Sequence, residues 1–160
     1  MLNKEGEKMS HINMVKIGEV QNSIDEKVYS NWGSVISNIN IYPEYIGGLT
    51  GLEDYSHAIV IFYMNDFQEE NNESWARKPR GLSDLDEKGC FAQRTKYRPN
   101  PIGITTVEIL SIANNVMTVQ GLDANDQTAI LDIKPYIAAF DARENVSVPD
   151  WMNKLMQDYF

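Results

Sequence analysis

Cysteine is almost missing from the 160-residue chain: Cys90 stands alone, so no disulfide can form within it, and a reducing cytoplasm fits. Histidine is nearly as scarce, with His11 and His57 the two present. Three soft ligands scattered this way argue against a structural zinc site, and no metal is expected. No apolar run approaches the length needed to cross a bilayer, so no membrane partner is expected either. The opening stretch MLNKEGEKMSHIN lacks an apolar segment and does not read as a secretory signal. Residues 1–13 are read as a flexible polar tail and residues 14–160 as one domain. Several signatures are absent too: no Gly-x-Ser-x-Gly, no phosphate-binding Walker loop and no His-Glu-x-x-His. The glycines of GGLTG (residues 47–51) have the wrong spacing, and no helix is expected after them, so they do not make a dinucleotide cradle.

What is present is mostly strand. Residues 14–20 (MVKIGEV) alternate apolar and polar, and residues 33–42 (GSVISNINIY) carry Val35, Ile36, Ile39 and Ile41 with one break in alternation. Residues 58–64 (AIVIFYM) are almost wholly apolar and predict a central strand buried on both faces. Residues 104–112 and 116–122 flank Asn114-Asn115, a hairpin signal, and residues 130–133 give another short strand. Near the end, Ser147 and Pro149 suggest a helix start, and Trp151, Leu155 and Tyr159 recur at i, i+4 and i+8. Many short strands and one helix predict a mainly β, single-domain β-barrel with a C-terminal helix.

Charge is unevenly placed. The net charge is −9, yet residues 77–98 hold seven basic side chains against three acidic ones, a local surplus of +4. A basic patch on an acidic body can grip a polyanion locally. Within it, Arg98 and Asn100 each precede a proline in Arg-Pro-Asn-Pro, which holds both extended. Residues 65–88 read as a long loop, a feature that is usually functional or mobile.

Single residues admit two readings each. Arg94 suits bidentate pairing with a carboxylate or a surface ion pair. Asp123 and Asp126 suit hydroxyl or ammonium donors, or turn capping. Trp32 is read as core in preference to a stacking platform. His57, a candidate base, is read as satisfying backbone carbonyls. Asp132 and Lys134 share a strand face and suit an ion pair or a pocket wall. Cys90 is read as inert core.

IGEV (residues 17–20), GLEDYSH (51–57), FAQRTKYRPNPIG (91–103) and GLDANDQTAILDIKPY (121–136) occur in that order. Together they resemble the TsaA-like family, also called TrmO, over nearly everything from Val15 to about Asp141. The ending VPDWMNKLMQDYF is similar to a short branch in which a helix stands instead of an extra C-terminal domain. The resemblance implies a β-barrel that binds S-adenosylmethionine, forms a homodimer and methylates the exocyclic nitrogen of threonylcarbamoyl-adenosine next to the tRNA anticodon. It places cofactor contacts at Met64, Asn65, Arg94, Thr105, Leu122, Asp123, Ala124, Asn125 and Asp126. Lys78, Arg80, Lys88, Arg98 and Asn100 are then the candidates for holding the tRNA anticodon loop. No proton acceptor is identified. Three stretches depart from the family pattern: SNWGS (residues 30–34), Met64-Asn65, and Gln127, which stands where the family has a glycine. The alternatives are a small-molecule methyltransferase and a non-catalytic S-adenosylmethionine-binding module.

Overall fold

The computed structural model describes residues 12–24, 30–64 and 74–160. Among these residues eight strands form: β1 (Gly18–Gln21), β2 (Ile36–Ile41), β3 (His57–Tyr63), β4 (Ala76–Arg77), β5 (Lys88–Gly89), β6 (Ile102–Ala113), β7 (Val116–Gln120) and β8 (Ala129–Pro135). Six of them close a barrel in the order β1-β2-β7-β6-β3-β8, and β4 pairs with β5 in a separate two-stranded ribbon. Two helices follow, α1 (Ala138–Asp141) and α2 (Asp150–Met156). Among the described residues, no helix is long and apolar enough to cross a membrane.

The barrel fills itself from alternate positions. Val20, Ile39, Val60, Val107, Met117, Val119, Leu122 and Ile130 are all buried within one cluster, each burial contributing about 1.5–3 kcal/mol. The break in the β2 pattern is explained by which face each residue takes. Ser37, Ile39 and Ile41 point inward, while Ile36 is exposed. Strand β6 buries Thr105 and Val107 and then shifts register against β7 between Ile109 and Ser111. That bulge lets a 12-residue strand bend with the barrel wall. Gly103 is required by packing. A Cβ there would lie 2.3 Å from the Phe62 ring, which crosses the strand at that point.

Five expectations are corrected. Strand β3 is central, paired with both β6 and β8, but it is not buried on both faces. Its inward residues Ala58, Val60 and Phe62 alternate with partly exposed Ile59 and Ile61, as a barrel wall with one solvent-facing side requires. The terminal helix starts after Pro149 with no side-chain cap from Ser147. It ends at Met156, so Tyr159 lies beyond it and not on its apolar stripe. His57 is exposed, with its Nδ1 2.8 Å from the Ser56 hydroxyl and its ring edge-on to Tyr136. It therefore satisfies no backbone carbonyl with its ring. The first strand begins at Gly18, four residues later than its alternation suggests. The Asn114-Asn115 hairpin forms between β6 and β7 with Asn114 in the left-handed region at φ 55°.

Candidate active site

Three sequence-distant segments meet at one end of the barrel. Strand β3 finishes there, with Met64 N–H donating to Pro101 carbonyl at 2.9 Å. Strand β6 begins there, and the chain leaving β7 runs on along β6 to bring Asp123 against Thr105. The Thr105 hydroxyl donates to Asp123 Oδ1, and the Tyr159 hydroxyl donates to Asp123 Oδ2 at 2.9 Å. Thr105, Leu122 and Ala124 are buried around the carboxylate. Burial pushes the Asp123 carboxyl above its usual range; the Thr105 and Tyr159 hydroxyls and the Arg94 charge oppose that shift. The Tyr159 phenol is pushed up, first by burial and then by the carboxylate it serves.

Arg94 reaches this end as well. Its guanidinium donates to Ile104 carbonyl at 2.7 Å from an exposed position and acts electrostatically on Asp123. Arg80 arrives from the other side of the basic segment, its guanidinium 5.6 Å from the centre of the Tyr159 ring. The structure therefore gathers Thr105, Asp123 and Arg94 from the expected cofactor set, and adds Arg80 from the expected tRNA set.

Other expected residues take supporting places. Asp126 Oδ1 accepts from Asn22 N–H at 3.0 Å, and Asn22 Nδ2 donates to Ala124 carbonyl at 2.9 Å, so this aspartate ties the 121–128 segment to the turn after β1. Asn125 closes the same turn, its carbonyl accepting from Thr128 N–H. Gln127 sits at φ 62°. It keeps the left-handed backbone that a glycine takes without strain. Asn65 lies outside the described residues, as does His11. Trp32 is buried as expected, its Nε1 without a hydrogen-bond partner among the described residues.

The basic segment is largely engaged with itself. Arg98 Nη1 donates to the carbonyls of Gln93 (3.1 Å) and Thr95 (3.3 Å), and is 3.5 Å from that of Cys90. Arg77 lies 4.1 Å from the Tyr97 ring centre, a cation–π distance. Lys78 Nζ donates to Ser83 carbonyl at 2.8 Å, and Lys88 is 4.0 Å from Asp86. Asn100 is exposed and its carbonyl accepts from Ile102 N–H. Cys90 is buried. Asp132 and Lys134 form an ion pair at 2.7 Å on the barrel surface.

A cavity of about 620 Å³ lies away from Asp123, lined by Tyr45, Gly48, Leu49, Leu52, Ile133 and others. Among the described residues no cluster of His, Cys, Asp or Glu is placed to hold a metal ion.

Tyr159 escapes a sequence reading. Its i+8 spacing suggests a helix face, and nothing local signals that it turns back to a carboxylate 36 positions earlier.

Comparison with known proteins agrees with this architecture. The protein from Pyrococcus abyssi called a probable S-adenosyl-L-methionine-binding protein is 35% identical over 121 residues, covering 72% of this chain and 60% of that one. A mouse tRNA (adenine(37)-N6)-methyltransferase is 36% identical over 118 residues, 74% of this chain but 26% of that protein. A crystal structure of TrmO from Pseudomonas aeruginosa superposes with a TM-score of 0.69 at 25% identity, covering 87% of this chain and 61% of that one. The chain thus spans less than two thirds of the length of each of these three relatives. The family model for the tRNA-methyltransferase O N-terminal domain matches residues 29–142, from before β2 to just past α1, and the chain belongs to that family.

Proposed function

We propose that the chain is an S-adenosylmethionine-dependent methyltransferase acting on tRNA, at the exocyclic nitrogen of threonylcarbamoyl-adenosine beside the anticodon. The observation that carries this reading is the Thr105–Asp123 pair, partly buried and faced by Arg94, at the end of the barrel in a chain of this family.

The residues fit the cofactor chemically. S-adenosylmethionine carries hydroxyl and ammonium donors that suit the Asp123 carboxylate, and a carboxylate that suits the Arg94 guanidinium. Leu122 and Ala124 are packed into the core beneath them and Met64 lies partly buried against that core, while Asn65 and the Asn125–Asp126 turn belong to the same expected set. When bound, the cofactor supplies an already activated methyl group, so the protein's work is alignment and exclusion of water. Arg94 and Asp123 orient, the buried Thr105 and Leu122 wall keeps the floor dry, and Asp126 fixes the 121–128 segment by holding Asn22. An anticodon-loop base is single-stranded and can be turned out toward this end of the barrel at modest cost. Lys78, Lys88, Arg98 and Asn100 then line the approach for phosphates, Arg98 by shaping the loop.

The test is incubation with labelled S-adenosylmethionine and total tRNA, followed by nucleoside mass spectrometry. Label in N6-methylated threonylcarbamoyl-adenosine supports the reading. Calorimetric binding of the cofactor without any labelled nucleoside would favour a binding module instead. A homodimer belongs to the same proposal, supported by the exposed apolar side chains of Ile104 and Tyr63 near this end. Sedimentation at micromolar concentration should then report about twice the 18.2 kDa chain mass; a monomer would remove the dimer.

A further inference from the structure

Residues 157–160 lie beyond the family match, which ends at residue 142, yet they reach the same carboxylate. After α2 the chain turns back alongside residues 31–33. Asn31 N–H donates to Asp158 carbonyl at 2.8 Å and Trp32 N–H to Tyr159 carbonyl at 2.9 Å. Gly33 permits this approach, since a Cβ there would lie 2.8 Å from the Phe160 carbonyl carbon. The docking strip is itself fastened to the start of the 121–126 segment. Gln120 Nε2 donates to Gly33 carbonyl at 2.8 Å, and Gly121 N–H to Val35 carbonyl at 2.9 Å. Backbone bonds thus fix Tyr159 relative to Asp123, and its hydroxyl completes the link at 2.9 Å.

We propose that Tyr159 is a positioning residue of the cofactor site, holding the Asp123 carboxylate in place and ionised from a segment outside the family domain. This rests on the methyltransferase reading above. A carboxylate in a partly buried setting tends to take up a proton and lose its grip on a cation or hydroxyl donor. Two hydroxyl donors, from Thr105 and Tyr159, counter that tendency while using one lone pair on each oxygen. Acceptor capacity for a ligand remains. Among the described residues, the charged or titratable groups facing Asp123 are Arg94 and Tyr159; Arg80 and Arg94 in turn act on Tyr159. A tyrosine that merely plugged the site would have the opposite effect on affinity, which makes the proposal testable by sign.

The test uses the full chain and S-adenosylhomocysteine, the demethylated product, in calorimetry from pH 5 to pH 8. Tyr159→Phe should bind roughly tenfold more weakly near neutral pH, and the pH below which binding fades should move upward, because one donor that favours the ionised carboxylate is gone. Gly33→Ala keeps the hydroxyl but displaces the segment, and should weaken binding in the same direction. Carbon-13 titration of the Asp123 carboxyl in the ligand-free protein should show its midpoint raised by Tyr159→Phe. Tighter binding by Tyr159→Phe identifies a plug and overturns the proposal, as does unchanged affinity with an unmoved midpoint. If the wild-type chain itself fails to bind, the methyltransferase reading falls and this inference with it. If wild type binds and Tyr159→Phe matches it, the inference alone falls.

Discussion

At the Thr105–Asp123 end of the barrel, segments far apart in sequence converge on one carboxylate; the basic segment of residues 77–98 is organised mainly from within. Asp123 takes its donors from β6 and from the residues after α2. Arg98 finds its acceptors within eight residues, at Cys90, Gln93 and Thr95. Gln93 in turn stitches Arg77 and Lys88 carbonyls together across the β4–β5 ribbon. The lesson concerns charge. A count of arginines and lysines overstates what a loop can offer a polyanion when those side chains already bind the loop's own carbonyls. A lone aspartate understates its importance when its partners come from elsewhere.

Removing Arg98 should break this comparison most severely. Arg98→Ala leaves two well-placed carbonyls, and a third at the distance limit, without their charged donor. It should cost about 1.5–3 kcal/mol of local stability. Faster amide exchange and easier proteolysis within residues 88–98 would show it, before any change in cofactor binding. Undisturbed exchange there would mean that Arg98 is free to serve phosphates directly.

Neutralising Lys78 and Lys88 together should have a smaller effect, and one visible only with RNA. For every RNA phosphate that the variant no longer neutralises, the log–log salt slope of binding to a single-stranded anticodon loop should fall by roughly 0.7. Cofactor affinity should hold. Arg80 is left out of this pair because its position over Tyr159 joins it to the carboxylate end. A collapse in cofactor affinity would instead make the ribbon part of the small-ligand site.

Asp123→Asn sharpens the other side. The folded-state pKa of Asp123 is raised, first by burial. Its protonated form is therefore favoured by the fold, and the associated stability is full at low pH and lost as pH rises through the folded value. The asparagine variant should consequently melt somewhat higher than wild type near pH 7, with the difference fading below the ordinary aspartate range. It should bind cofactor less well at the same time. Equal melting at neutral pH would indicate that the two hydroxyls fully offset the burial. Glu19 shows the contrast: Lys16 at 2.9 Å holds its carboxyl below the usual range, so its contribution is present at neutral pH and lost on acidification.

The smallest effect belongs to Gln127. A side chain at φ 62° carries left-handed strain, so Gln127→Gly should stabilise the chain by about 1 kcal/mol or less. Denaturant midpoints would detect it. A loss of stability would mean that the Gln127 side chain, 3.3 Å from Asp126 Oδ2, contributes more than its backbone costs.

The barrel was legible because its causes are local. Alternation in residues 36–41 and 116–120 sets which side chains point inward, the apolar run of residues 58–64 marks a strand without marking its inward face, and Asn114-Asn115 sets a reversal of direction, all within a few residues of chain. The motifs likewise named Thr105, Arg94 and Asp123 without any tertiary information. Barrel closure decided the rest. It set β3 with one face toward solvent, because a wall has an outside, and introduced the β6 bulge, because a long strand must bend to stay in that wall. The loop's own path turned Arg98 onto the carbonyls of Gln93 and Thr95. Barrel closure brought Tyr159 back to Asp123 through hydrogen bonds to residues 31 and 32. No periodicity encodes such a meeting, because the partner of a buried carboxylate depends on which distant segment the closed barrel leaves beside it.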